Sequence, residues 1–322
     1  RKKLSLEADF IMLRYLSAVL NGCSALSKKK FAGSDAFIDP LRIDLQPFKK
    51  ITGIMTSTYV TKQVSFELQA LTGFFQMIFL TEIRHYNTIM RTVQSNRESL
   101  RKLFAELGEI ETAVSVLSYR MSYPNTCAPV FTGKNQIVFR GLIHPLMPQA
   151  VPNSGKFDRG AIVTGSNASG KSTFIKALAV NGILAQTIYT CNATYFETRP
   201  VLVMTSMALR DNLLSGESYF VVEVKSIQRL FRTIDQIGCV CYIDEILRGT
   251  NTPERIAAST AVLRHIAERQ CLCVVASHDI ELSELLKDLY DQYHFSETVI
   301  DDAIEFDYQL KKGPSTTRNA IK

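Results

Sequence analysis

One nonapeptide restricts the fold of this chain more than any other stretch: Gly165-Ser166-Asn167-Ala168-Ser169-Gly170-Lys171-Ser172-Thr173. It fits G-x-x-x-x-G-K-[ST], the phosphate-binding loop, a pattern that rarely arises by chance in 322 residues. The flanks are what such a loop requires. Ala161-Ile162-Val163-Thr164 ahead of it is apolar and β-prone, and Phe174-Ile175-Lys176-Ala177-Leu178-Ala179-Val180 behind it continues as a helix. A strand, a glycine turn and a helix start form an anion site: the first N–H groups of a helix lack carbonyl partners, and the helix dipole adds positive potential there. Lys171 is placed to reach the β- and γ-phosphates of ATP, and the Ser172 hydroxyl to ligate Mg²⁺. The bland alternative is a glycine-rich turn with no ligand.

A second acidic element lies 73 residues after Lys171, counting to Asp244 (244 minus 171). Cys239-Val240-Cys241-Tyr242-Ile243 is a buried-strand pattern that ends in Asp244-Glu245, the Walker B arrangement. Asp244 is expected to hold Mg²⁺, and Glu245 to polarise the attacking water. A third strand, Cys271-Leu272-Cys273-Val274-Val275-Ala276, ends at Ser277-His278-Asp279. His278 therefore falls at the strand edge where α/β sheets bind ligands, placed to sense the γ-phosphate or position the water. Tyr195-Phe196 and Val201-Leu202-Val203-Met204 read as strand. Gly216-Glu217-Ser218-Tyr219-Phe220-Val221-Val222-Glu223 then opens a helix, with Ser218 either an N-cap or a hydroxyl for a phosphate.

Residues 1–122 carry no catalytic motif. Apolar residues at helical spacing run through 6–20, then through Phe66, Ala70, Phe74, Met77, Ile78 and Phe79, then Ile83, Tyr86, Ile89, Met90 and Val93. Ser95-Asn96 offers a break and an N-cap before a further helix through Leu100, Leu103, Phe104, Leu107, Ile110, Val114 and Leu117. Two long helices running back on each other would make a lever; a plain helical bundle is the alternative. Tyr123-Pro124 closes the helical part, and residues 123–322 read as one nucleotide-binding domain.

Cys239-x-Cys241 and Cys271-x-Cys273 resemble metal pairs, but alternate strand residues share a face and zinc pairs are spaced more widely. They read as small core side chains. The seven cysteines and the absence of a signal peptide point to a reducing, cytoplasmic setting. The net charge of +6 is compatible with nucleic acid but does not argue for it. The longest apolar run, near 70–80, is too short to span a bilayer. The chain starts at Arg1 without methionine, so an anchor or further domain upstream would not show.

The nucleotide half resembles the MutS family of DNA mismatch-repair proteins. The resemblance covers roughly residue 108 to the end. It rests on His144-Pro145, Val151-Pro152-Asn153, the loop, Gln186, Gly216-x-Ser218-x-Phe220-x-x-Glu223, and above all Asp244-Glu245-Ile246-Leu247-Arg248-Gly249-Thr250-Asn251-Thr252. Ser277-His278 stands where the family has Thr-His, and the segment from Phe306 through Tyr308 to Gly313 resembles its final strand. The resemblance implies an α/β P-loop NTPase, an ABC-like ATPase sheet flanked by helices over 123–322, preceded by an all-α lever or core region with long helices over 1–122. It further implies Mg²⁺-dependent ATP hydrolysis, a homodimer in which Ser218 completes the partner's nucleotide site, binding to mismatched or structured DNA, downstream repair partners and association with the nucleoid. Three departures stand out. Ser166 replaces the family's proline, Glu217 its arginine, and Ala150 the aromatic that stacks on adenine. Tyr308 is the substitute expected for that stacking. The mismatch-reading domain is not seen; Phe104-Ala105-Glu106 fits its wedge pattern mid-helix by chance. Rival expectations are another ABC-like ATPase, of the SMC or transporter type, or a DNA-structure clamp that uses nucleotide as a latch. The former would carry a Ser-Gly-Gly loop shortly before Walker B.

Overall fold

The structure is a computed structural model, which describes residues 2–30, 33–59, 81–147, 149–166, 168–207, 219–234, 238–269, 271–300 and 303–315. The chain divides into two compact units, Arg1–Ser118 and Tyr119–Lys322.

The first unit is helical: α1 Lys2–Ser27, α2 Asp35–Leu45, a 3-10 turn Gln46–Phe48, α3 Lys49–Tyr59, α4 Thr81–Ser95 and the start of α5 Arg97–Ser122. Its core gathers one apolar stripe from each helix, including Leu13 and Leu20, Leu41 and Leu45, Ile51 and Met55, Ile89, and Leu103. These recur at three- to four-residue multiples, which puts them on one face. The apolar stretch at 66–79 lies outside the described residues. At the expected break, Asn96 does not cap α5. Its Nδ2 donates back to Thr92 O at 2.8 Å, and Leu100 N donates to Asn96 O at 3.0 Å. The expected break is nonetheless present, since α4 ends at Ser95 and α5 starts at Arg97. A reversal there would need a loop of about two to five residues, and a single residue intervenes.

The second unit is mixed α/β. A six-stranded sheet runs in the order β12-β9-β4-β8-β7-β6. Its strands are β4 Ala161–Thr164, β6 Leu202–Ser206, β7 Cys239–Asp244, β8 Leu272–Ala276, β9 Asp291–His294 and β12 Lys311–Lys312. All neighbours are parallel except β12 and β9. Every residue of β4, β7 and β8 is buried, as parallel strands covered on both faces demand.

The two-residue alternation assigns side chains to two cores. Val240, Tyr242, Leu272 and Val274 face one core with Phe174, Ile175 and Leu178 of α6 Lys171–Ile188. Cys239, Cys241, Cys271, Cys273 and Ile243 face the other, against α7 Tyr219–Ile234, α8 Thr252–Glu268 and the short α9 Ile280–Leu285. All four of these cysteines are therefore packing residues, and Cys239 Sγ lies 3.1 Å from Cys271 Sγ.

A second sheet, ordered β1-β5-β2-β3, comprises β1 Val130–Phe131, β2 Ile137–Leu142, β3 Asn153–Phe157 and β5 Tyr195–Thr198. The apolar residues on either side of Pro200 thus belong to β5 and β6, strands of different sheets. Proline lacks a ladder donor, and the chain changes sheets there. A hairpin, β10 Glu297–Ile300 and β11 Ala303–Phe306, follows β9. The last turn of α5 belongs to this unit: Arg120 Nε donates to Thr190 Oγ1 at 2.8 Å, and Tyr119 OH to Asn192 Oδ1. Among the described residues no helix is long and apolar enough to cross a membrane.

Candidate functional site

The strand ends of β4, β7 and β8 meet at one edge of the large sheet. From β4 the backbone turns through the glycine-rich loop into α6. Gly165 has φ +147°, and a Cβ there would stand 2.7 Å from the carbonyl oxygen of Phe295. Gly170, the residue before α6, has φ +102° and no capping side chain. These glycines are needed for backbone shape and close approach. Ala168 takes φ +67° without that freedom, which is local strain in the loop. The first intrahelical bond runs from Phe174 N to Gly170 O at 2.9 Å. The N–H groups of Lys171, Ser172 and Thr173 therefore have no carbonyl within the helix. Beside them Ser169 is 1% exposed, and its Oγ has no hydrogen-bond partner among the described residues. An orphaned buried hydroxyl at an uncapped helix start suits an anion.

Lys171 Nζ donates to Gly165 O at 2.7 Å and Ser166 O at 2.6 Å. Burial pulls its ammonium below the ordinary lysine value, while Glu245 and Asp244 act to hold it up. Ser172 Oγ donates to Asp244 Oδ1 at 2.8 Å, joining the helix start to the end of β7. Two hard oxygens this close can enter one Mg²⁺ shell. Ser166 Oγ donates to Glu297 Oε2.

Glu245 follows directly with φ +60°, and Leu247 has φ +56°. Its N–H donates to Ala276 O at 3.0 Å, which fixes it between β7 and β8. Arg248 Nε holds the carboxylate at 2.6 Å from Oε2, and His278 Nδ1 lies 3.4 Å from Oε1. Behind His278, Asp279 accepts a two-pronged contact from Arg255, at 2.8 and 2.7 Å.

Of these groups, residues 168–173 and Glu245 border a cavity of about 710 Å³. That volume is in the range of small-molecule sites. One wall is polar, with residues 168–173 and Glu245; the other is apolar, with Leu142, Met147, Ala150 and Val151. Tyr308 also lines the cavity, against Gly170. Its φ is +52°, and its ring lies so close to Gly170 that a Cβ there would be 3.1 Å from Cδ1. Asn153, 8% exposed, holds that segment: Nδ2 donates to Tyr308 O at 3.0 Å, and Oδ1 accepts from Leu310 N at 2.6 Å. His144 also lines the cavity and accepts from Leu146 N on Nδ1 at 3.2 Å, so its proton sits on Nε2.

Of the residues singled out by sequence, Gly165, Ser166, Ala168, Ser169, Gly170, Lys171, Ser172, Thr173, Asp244, Glu245, His278 and Tyr308 come together here. Asn167 and Ser218 lie outside the described residues. Sequence reasoning assigned no role to Arg255 or Asp279, whose 24-residue separation carries no local signal. It also missed Arg248 as a partner of Glu245 and Glu223 as a buried acid, although both sit inside quoted motifs.

Residues 161–322 match the family described as MutS domain V. The DNA mismatch repair protein MutS of Thermotoga maritima is 29% identical over 211 residues, which cover 63% of this chain and 26% of that protein. Its namesake from Pseudothermotoga lettingae is 29% identical over 254 residues, 76% of this chain and 31% of the other. DNA mismatch repair protein MutS 2 of Halobacterium salinarum is 29% identical over 245 residues, 73% of this chain and 28% of the other. The chain spans about a quarter to a third of the length of these curated relatives.

Proposed function

The chain belongs to the MutS family, and from that premise we propose that it binds ATP with Mg²⁺, hydrolyses it to ADP and phosphate, and couples the cycle to DNA in mismatch repair. Residues 123–322 act as an ABC-like P-loop ATPase and residues 1–122 as its helical lever. The observation that supports this best is the convergence of Lys171, Ser172 and Glu245 on one cavity beside the orphaned Ser169 hydroxyl, with Asp244 bonded to Ser172 behind them.

Each side chain has a separate task. The uncapped N–H groups of α6 and the Ser169 hydroxyl bind phosphate oxygens, and Lys171 exchanges its two loop carbonyls for them. Ser172 and Asp244 would hold Mg²⁺, which supplies positive charge against the phosphate oxygens. Glu245 takes a proton from the attacking water as that oxygen bonds to the terminal phosphorus and the bond to the ADP oxygen breaks. His278 orients Glu245 from the β8 side. Tyr308 stacks on the base across the space that Ala150 leaves open. For this last role, Tyr308→Ala should weaken ATP binding by roughly 5- to 10-fold, the size of one lost aromatic contact. Unchanged affinity by calorimetry would assign stacking elsewhere.

Two copies are proposed to face each other, with Ser218 of each completing the other's site, and the closed pair to act on mismatched or otherwise irregular DNA and on repair proteins downstream. Additional donors where charge develops explain why a partner would accelerate the reaction. The test is ATP turnover by the purified chain, alone and with matched, mismatched, branched or single-stranded DNA. Turnover that requires Mg²⁺ and changes with irregular DNA is expected. Mixing Ser218→Ala with Lys171→Ala subunits should give rates that are not the sum of the parts. Background turnover with every DNA would leave nucleotide as a latch and remove the enzyme reading.

A further inference from the structure

Glu223 lies on the second turn of α7 and is 3% exposed. A buried carboxylate is costly unless hydrogen-bonded. Burial raises its pKa, the backbone N–H groups of Arg248 and Gly249 beside it act in the opposite direction, and Oε2 has no hydrogen-bond partner among the described residues. The same loop is held to α7 a second way. A Cβ at Gly249 would stand 2.8 Å from Phe220 Cβ and 3.3 Å from its Cα, so the backbone lies against the helix where no side chain fits. From that anchored backbone the Arg248 side chain reaches Glu245, with Nε 2.6 Å from Oε2. Between them the strained pair Glu245 and Leu247 leaves the turn dependent on external support.

We infer that Glu223 is a positioning residue for the hydrolytic step, fixing the Arg248-Gly249 backbone to α7 so that Arg248 holds the Glu245 carboxylate where it meets water. This rests on Glu245 being the water-activating group. It also divides the labour of the site. Phosphate binding belongs to α6 and its loop; alignment of the base belongs to α7. A shift of α7 then alters turnover while the phosphate grip stays intact.

The experiment measures single-turnover ATP hydrolysis and nucleotide Kd on the full chain. The variants are Glu223→Ala, Glu223→Gln, Arg248→Ala and the Glu223→Ala/Arg248→Ala double, with Glu245→Gln as reference. A small displacement of a catalytic group costs roughly 10- to 100-fold in rate. Glu223→Ala and Arg248→Ala should each lose that much rate with Kd within about twofold of wild type, a lost alignment leaving ground-state binding untouched. Glu223→Gln, whose amide oxygen still accepts N–H bonds, should recover most of it. The double variant should be no slower than Arg248→Ala alone, since residues acting in series are not additive. Wild-type rate in Glu223→Ala, multiplied effects in the double, or Kd weakening in step with rate would each overturn the inference. Wild-type hydrolysis by Glu245→Gln would instead remove the reading it rests on. Should Glu223→Ala not fold, Gly249→Ala pushes the same loop off α7 with Glu223 intact, and an undiminished rate there is equally adverse.

Discussion

With Lys171 changed to Ala, nucleotide affinity is expected to fall by roughly 30- to 700-fold in Kd. The amine is buried at 4% exposure and already donates two short bonds to loop carbonyls. Transferred to phosphate, these bonds join an ionised donor to an ionised acceptor, and losing such contacts costs about 2–4 kcal/mol. A tenfold change in Kd corresponds to about 1.4 kcal/mol. Without the amine, Gly165 O and Ser166 O also lose their donor, so the loop gives up part of its preformed shape. Titration calorimetry with a non-hydrolysable ATP mimic provides the test. An affinity within twofold of wild type would mean that phosphate is not bound at this loop.

Glu245→Gln is expected to leave that affinity within a few-fold and to slow hydrolysis by roughly 100- to 10,000-fold, the contribution of a positioned general base. Glutamine keeps the shape, and its amide oxygen can still accept from Arg248. It has no basic oxygen to receive a proton. The strained backbone at Glu245 and its bond to Ala276 O are main-chain features that the substitution leaves in place. Rapid-quench measurement of product in the first turnover separates this from a change in product release. Wild-type chemistry in the variant would shift the role of base elsewhere, with the His278 imidazole, 3.4 Å from Glu245, the next candidate.

Two kinds of information account for what was legible in advance. Backbone requirements are local: Gly165 and Gly170 must take positive φ, so a glycine pattern announces the turn. Burial of parallel strands is local too, and the apolar runs ending at Asp244 and Ala276 mark β7 and β8 directly. Polar pairing between distant segments has no such signal. Arg255 with Asp279, Glu223 with the 248–249 backbone, and Asn153 with Tyr308 join through space. No period or spacing predicts them, although each settles where a site residue stands. The break at Asn96 is where the sequence placed it, but the cap expected there is not, for a related reason. Asparagine is a good helix starter, but its amide can equally close the preceding turn, and a one-residue gap cannot reverse the chain.

The position of β4 bears on how the molecule is made. It is the first strand of the six-stranded sheet to leave the ribosome, yet its two neighbours are β8 and β9, at 272–276 and 291–294. Until those emerge it has no partner within its sheet. Tyr308, which Asn153 tethers across 155 residues of sequence, arrives later still. A nascent chain that has already displayed its glycine loop therefore has neither the flanking strands nor Tyr308. Such long-range closure is slow and leaves apolar strand edges open in the interval, which makes the emerging polypeptide a natural client for holding chaperones.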